Sequence, residues 1–163
     1  MSDLQSKFDI IYNSNYPKVH RLCLGYTNGD EALAKDITQD VFIKVWENLG
    51  TFRNESSLPT WIYRITVNTC LMSLRKKKPV DISSHLNVLQ STEDAVQEED
   101  KSNKIKQLYS CINTLNSHGK SIILLELEGL PQKEIADVMG MSHEAIRVRI
   151  HRIKEKLTKC VKK

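Results

Sequence analysis

The sequence predicts an all-α protein built as two small helical modules joined by a flexible linker, with a helix-turn-helix in the second module. Three observations lead there. Only 6 Gly and 4 Pro occur among 163 residues, fewer than turn-rich sheet proteins use. Apolar residues recur every three or four positions over long stretches, the period of a half-buried helix. Charge also changes in blocks, with net −2 over residues 1–60, +5 over 61–78, −5 over 79–103 and +6 over 104–163. The acidic block contains Ser83, Ser84, Ser91 and Thr92 and no sustained apolar spacing, so it reads as a linker with at most a short helix at its end. The expected units are a module over 1–78, an acidic linker over 79–103 and a module over 104–163.

In the first module, Leu4 to Tyr26 reads as a helix, with Phe8, Ile11 and Tyr12 as the apolar positions of its first half and Val19, Leu22, Cys23 and Tyr26 of its second. Pro17 allows a kink or a restart there. Asn28-Gly29-Asp30 is a turn, and Asp30 is a candidate cap for the next helix. From Glu31, the positions Leu33, Ile37, Val41, Val45 and Leu49 repeat every four residues, flanked by Ala34, Phe42 and Trp46. Residues 50–58 break the period. A third helix then starts with Ser57 as cap and Pro59 in its first turn. Its expected core stripe is Trp61, Ile62, Ile65, Thr69 and Met72, widened by Val67, Leu71 and Leu74, and it ends in the basic run Arg75, Lys76, Lys77 and Lys78.

In the second module, periodicity resumes at Ile105 and continues through Leu108, Cys111, Ile112 and Leu115. Asn116 or Ser117 is placed to cap the following helix, which Gly129 ends. The segment QKEIADVMGMSHEAIRVRI, residues 132–150, has helix-turn-helix spacing. Ala136 is small enough for a helix crossing, Gly140 permits the turn, and Ser142 caps the second helix. On that last helix, at roughly 100° per residue, Ile146, Ile150, Ile153 and Leu157 share one seam. Arg147, Val148, His151 and Arg152 occupy the opposite side. Such a face suits the major groove, where arginine pairs with guanine and an aliphatic group meets a thymine methyl. Arg149, Lys154 and Lys156 are placed for phosphates. A merely solvated face would give Val148, set among arginines, nothing to do.

The first module carries two further surfaces. Arg53, Arg64, Asn68 and Arg75 are expected to line an electropositive groove, where an aromatic side chain can stack on an unpaired base. Tyr63 is the expected surface aromatic there, and Trp61 is expected in the core. The polar side of the second helix carries Asp36, Gln39 and Asp40 beside Trp46. Acidic groups repel phosphates, so this face suits a protein partner.

Other function classes find little support. The four cysteines lie 41 to 49 residues apart, without metal-ligand spacing. There is no HExxH, no Gly-rich phosphate loop and no histidine paired with a carboxylate at motif spacing. No cofactor is expected. Neither a signal peptide nor an apolar run long enough for a bilayer is present, so the expectation is a cytoplasmic chain, not membrane-inserted, with reduced thiols. A free-standing helix-turn-helix repressor would need only the second module and would leave residues 31–75 unexplained.

Residues 31–75, EALAKDITQDVFIKVWENLGTFRNESSLPTWIYRITVNTCLMSLR, resemble region 2 of the extracytoplasmic-function (group 4) sigma factors of bacterial RNA polymerase. Residues 115–157, LNSHGKSIILLELEGLPQKEIADVMGMSHEAIRVRIHRIKEKL, resemble region 4 of the same sigma-70 family. The resemblance implies a subunit that binds core RNA polymerase and directs promoter-specific initiation through the −10 and −35 elements. It implies that Asp36, Gln39, Asp40 and Trp46 meet the polymerase clamp. It assigns the loop at 52–58, with Phe52, Arg53, Asn54, Ser56 and Ser57, to capture of a flipped −10 base, together with Asn68 on the next helix, where Tyr63 and Arg64 are the groove residues already read from the sequence. Arg147, Val148, His151 and Arg152 would enter the −35 major groove. Many members of that family are regulated by an anti-sigma protein, for which the sequence itself carries no signal. Two departures stand out. Asn116 replaces a usual proline, and Val148 stands where a small hydroxyl is common.

Overall fold

The computed structural model describes residues 3–53, 57–76 and 96–162. Among them there are seven helices and no strand: α1 (Asp3–Tyr26), α2 (Glu31–Leu49), α3 (Leu58–Lys76), α4 (Val96–Ile112), α5 (Ser117–Leu127), α6 (Gln132–Met139) and α7 (His143–Val161). The all-α expectation holds. The linker expected at 79–103 lies outside the described residues as far as 95. From Val96 the chain is already helical, so α4 starts earlier than the charge pattern indicated.

Local chemistry explains most of the boundaries. α1 runs through Pro17 without a break. Asn28 and Gly29 then take φ of 55° and 86°, and Asp30 caps α2 by accepting from Leu33 N at 3.2 Å. Ser57 caps α3 by accepting from Thr60 N at 3.3 Å. At the start of α5, Asn116 Oδ1 accepts from Gly119 N at 2.7 Å. The residue that replaces proline is therefore a working cap, and Gly119 leaves room for it: a Cβ there would stand 3.2 Å from that oxygen. A side-chain cap of this kind contributes roughly 1 kcal/mol.

The first module buries Ile11, Val19, Leu22, Ile37, Val41, Val45, Leu49 and Ile62 between α1, α2 and α3. The second buries Ile112, Ile122, Leu125, Ile135, Ile146, Ile150 and Leu157. Each large aliphatic side chain so buried contributes about 1.5–3 kcal/mol.

The core stripe expected for α3 is displaced. Ile62, Tyr63, Thr66, Val67, Thr69 and Cys70 are buried, whereas Trp61 and Ile65 are half-buried and Met72 is exposed. The reason is that α3 packs on two sides, against α1 and α2 on one and against α6 on the other. A single-stripe reading has no means of seeing a second neighbour. In the same way α5 packs on α1, α6 and α7, and this is why Ile122, Ile123, Leu124 and Leu125 are buried in succession.

The two modules thus touch. Tyr26 of α1 donates from its hydroxyl to Ser121 of α5, with both side chains buried. Lys120 Nζ donates to the Tyr26 carbonyl at 2.9 Å, and Arg21 forms a two-pronged pair with Glu128 at 3.1 and 3.0 Å. A second departure from expectation concerns sulfur: Cys111 and Cys160 are joined in a disulfide, with Cα atoms 6.0 Å apart. Separated by 49 residues, they gave no sequence signal; α4 and α7 pack together and bring their C-terminal ends into reach. Cys23 and Cys70 remain free and buried, their sulfurs 3.7 Å apart.

Candidate nucleic-acid interface

The geometry of the second module begins with the turn between α6 and α7. Gly140 adopts φ of +67°, in the left-handed region, where a Cβ would be strained. Its N–H and that of Met141 both reach back to the Ala136 carbonyl, the latter at 3.0 Å. Ala136 is buried at this crossing. Ser142 then caps α7 by accepting from Ala145 N at 3.1 Å.

With α7 fixed at that end, Ile146, Ile150, Ile153 and Leu157 turn inward and are buried. Arg147, Val148, Arg149, His151, Arg152, Lys154 and Lys156 all face outward and are exposed. Val148 is 42% exposed, an apolar group in the middle of a cationic face. Two of these side chains have acidic neighbours: His151 Nε2 lies 3.3 Å from Glu155, and Lys154 Nζ lies 3.4 Å from Glu126. The His151–Glu155 pair is exposed on both sides, where such pairs contribute little, and Lys154 itself is exposed although Glu126 is mostly covered.

In the first module, Phe52 and Arg53 lead out of α2, and Trp61, Arg64 and Ile65 project from α3. With Asn48 and Thr51 they line an open cavity of about 400 Å³. Phe52 and Trp61 rings sit 4.7 Å apart at 38°. The structure therefore brings together Phe52, Arg53 and Arg64 as expected, and adds Trp61. Ser57 and Asn68 are exposed but not among the lining residues, and Asn54 and Ser56 lie outside the described residues.

The expectation for the aromatics is reversed. Tyr63 is only 6% exposed, and its burial between the modules, near Glu128 and Arg21, pushes its phenol up to about 12. Trp61, expected in the core, is the ring that reaches the cavity. Spacing placed both on one helix but not the second module against Tyr63.

On the far side of α2, Asp36, Gln39, Asp40 and Trp46 are exposed, Trp46 by 44%. Gln39 and Trp46 line an apolar groove of about 440 Å³ with Phe8, Tyr12, Phe42, Ile43 and Glu47. Phe8 meets Trp46 edge to face at 5.3 Å, and Tyr12 meets Phe42 at 4.8 Å. Phe8 and Tyr12, read from the sequence as apolar positions of α1, line this surface, and so does Ile43, an apolar residue off the α2 repeat. Among the described residues no cluster of His, Cys, Asp and Glu is arranged to hold a metal ion, and no helix is long and apolar enough to cross a membrane.

Comparison with known proteins accounts for both halves. Residues 11–80 match the family model described as sigma-70 region 2, and residues 105–157 match that of sigma-70 region 4. The chain is 30% identical over 167 residues to the ECF RNA polymerase sigma-E factor of Escherichia coli, an alignment covering 93% of this chain and 84% of that protein. Its fold is similar to that of CnrH in a complex with the cytosolic domain of CnrY, with a TM-score of 0.73, 21% identity, and coverage of 97% and 89% of the two chains. It is also similar to the sigma factor RpoE of Bartonella quintana bound to the anti-sigma factor NepR, with a TM-score of 0.69, 17% identity, and coverage of 96% and 97%. With a capped helix-turn-helix bearing a cationic face and a region 2 module before it in the chain, the protein belongs to the extracytoplasmic-function sigma factors of the sigma-70 family, the RNA polymerase subunits that direct promoter-specific transcription initiation.

Proposed function

We propose a residue-level division of labour for this sigma factor. α7 reads the −35 element as duplex, with Arg147, Val148, His151 and Arg152 toward base edges and Arg149, Lys154 and Lys156 on the backbone. The cavity beside α3 takes an unpaired −10 base between Phe52, Trp61, Arg53 and Arg64, and the exposed Ser57 and Asn68, with Asn54 and Ser56 of the same loop, are further contacts for that strand. The face of α2 with Asp36, Gln39, Asp40 and Trp46 docks on core polymerase. The observation that carries this reading is α7 itself: four consecutive turns bury an unbroken aliphatic seam while the opposite side presents cations around an exposed valine.

The chain supplies binding energy and no bond-making step, so it acts as a specificity subunit and not as an enzyme. Extruding a base from a duplex costs on the order of a few kcal/mol, which stacking and hydrogen bonds in a fitted cavity offset. Because Arg149, Lys154 and Lys156 meet phosphates, affinity for duplex DNA falls with salt. Partners of this chemistry, polymerase and promoter DNA, place its work in the cytoplasm. An anti-sigma protein of the kind bound by the Bartonella relative is a further expected partner.

The test is transcription in vitro with core polymerase and a library of promoter sequences. Initiation that is selective and depends on the added protein supports the reading. Folded protein that leaves polymerase unselective, even on a pre-melted template, refutes it.

A further inference from the structure

We propose that the Cys111–Cys160 disulfide is a reversible redox latch on the DNA-reading helix. Oxidised, it holds α4 on the last turns of α7 and makes the chain competent for the −35 duplex. Reduced, it releases α4 and weakens that binding. This rests on the reading of α7 as the −35 surface and of the cytoplasm as the place of work.

α4 is a helix anchored at one end. Residues 101–105 are all exposed, and full burial is reached only at Cys111 and Ile112. The helix that α4 principally packs against is α7. At the end of α7 two ties meet it: the bond from Cys111 to Cys160, and Gln107 Nε2 donating to the Val161 carbonyl at 2.8 Å. Gln107 is exposed, so water competes for its hydrogen bond. Past the end of α4, Asn113 Oδ1 accepts from Lys120, which fastens the following loop to α5. The disulfide is therefore the firm link between α4 and α7. The last turns of α7 also carry Arg152, Lys154 and Lys156 outside and bury Ile153 and Leu157 beneath them. Whatever steadies this end of α7 steadies the cations meant for DNA. Opening a cross-link that spans 49 residues favours the undocked helix by roughly 30- to 700-fold.

The two cysteine pairs differ in access. Cys23 and Cys70 have sulfurs 3.7 Å apart, yet they are thiols and wholly buried. Cys160 is half-buried at the end of α7, within reach of a reagent from solvent. A cytoplasmic disulfide faces a reducing pool, and such bonds are as a rule transient or redox-sensing. For opening, the thiolate of a dithiol reductant of the thioredoxin class attacks Cys160 Sγ. The Cys111–Cys160 bond breaks, and Cys111 leaves as a thiolate and takes up a proton. The reductant's second thiol then attacks its own sulfur in the mixed disulfide, losing its proton and freeing Cys160 as a thiol. Net, two electrons and two protons pass to the pair. For closing, hydrogen peroxide oxidises Cys160 to a sulfenic acid with loss of one water, and the Cys111 thiol displaces a second water to form the bond.

The experiment uses the full chain, oxidised with peroxide or reduced with thioredoxin and its reductase. Alkylation followed by mass spectrometry should count two thiols in the first form and four in the second. Fluorescence anisotropy on the −35 duplex of a promoter selected in vitro should show at least 10-fold weaker binding after reduction, restored by peroxide. Affinity for core polymerase, carried by the α2 face, should stay within about twofold of its oxidised value, the scale of a surface left unaltered. Hydrogen exchange over residues 153–161 should quicken on reduction. Cys160→Ser should behave as the reduced form under both treatments; if it does not fold by circular dichroism, Cys111→Ala with Cys160→Ala takes its place.

Equal −35 affinity in the two forms overturns the proposal. So does a bond that thioredoxin leaves intact in folded protein, or a reduced chain that loses its helical signal throughout, because the disulfide would then be a fixed structural tie. A redox response that persists without Cys160 also overturns it. Failure of the sigma reading looks different: neither form would bind the duplex or initiate, while thiol counts and hydrogen exchange would still follow the latch.

Discussion

Arg152 sits on the exposed side of α7 with no acidic partner assigned to it by distance, and Val148 lies one turn back on the same face. A well-placed arginine–base contact discriminates by about 1–3 kcal/mol. Arg152→Ala should thus weaken binding to a −35 duplex by roughly 10-fold, measured by fluorescence anisotropy at fixed salt; unchanged affinity would remove the residue from the interface. On α2, Asp40 is exposed and makes no contribution to the core. Asp40→Ala should lower affinity for core polymerase while leaving the thermal midpoint within about a degree, as expected of a surface change. Full affinity in a folded variant would refute the docking face. Lys120 offers a pH test. Burial pushes its ammonium from 10.5 down to about 8, so between those values the unfolded chain holds a proton that the folded chain has released. Stability contributed at this position should then rise as pH increases from about 8 to 10.5. Lys120→Met should flatten that rise in a series of melting curves, and an unchanged slope would contradict the burial argument.

At the scale of elements, the caps and turns were legible because they depend on neighbours in the chain. Asp30, Ser57, Ser142, Gly129 and Gly140 act where their residue types placed them. The α7 seam was legible for the same reason, since one helix buried along one stripe has a period that a sequence displays. α3 was less so: Val67 was expected on its apolar side, but Tyr63 is buried where the second module, more than sixty positions away, packs on it. The disulfide was hidden by distance as well. By closing a loop of 49 residues, it should stabilise the second module by about 2–4 kcal/mol. Reduction, or Cys111→Ser, should lower the thermal midpoint accordingly. A midpoint independent of reductant would mean that α4 and α7 hold together through Ile112, Leu157 and the Gln107 bond to Val161 alone.

For the whole molecule, the charge blocks suggest a division into two modules and carry no sign of the contact between α1, α3 and the later helices. The acidic stretch between them suggested separation, whereas Gly25, Tyr26, Leu124 and Ser121 form a seam that has meaning only once both modules are folded. The same architecture explains how a protein with no reactive centre of its own can direct chemistry elsewhere, by presenting one duplex-reading face, one base-sized cavity and one docking groove on separate elements. Footprinting the complex of core polymerase and this chain on a selected promoter, with the unaltered protein and with Arg152→Ala, tests that most directly. Protection of two separate blocks, with the substitution removing the upstream block alone, is the expected pattern. Protection identical to that of core polymerase by itself, or uniform loss of both blocks, would contradict the assignment of α7 to the upstream element.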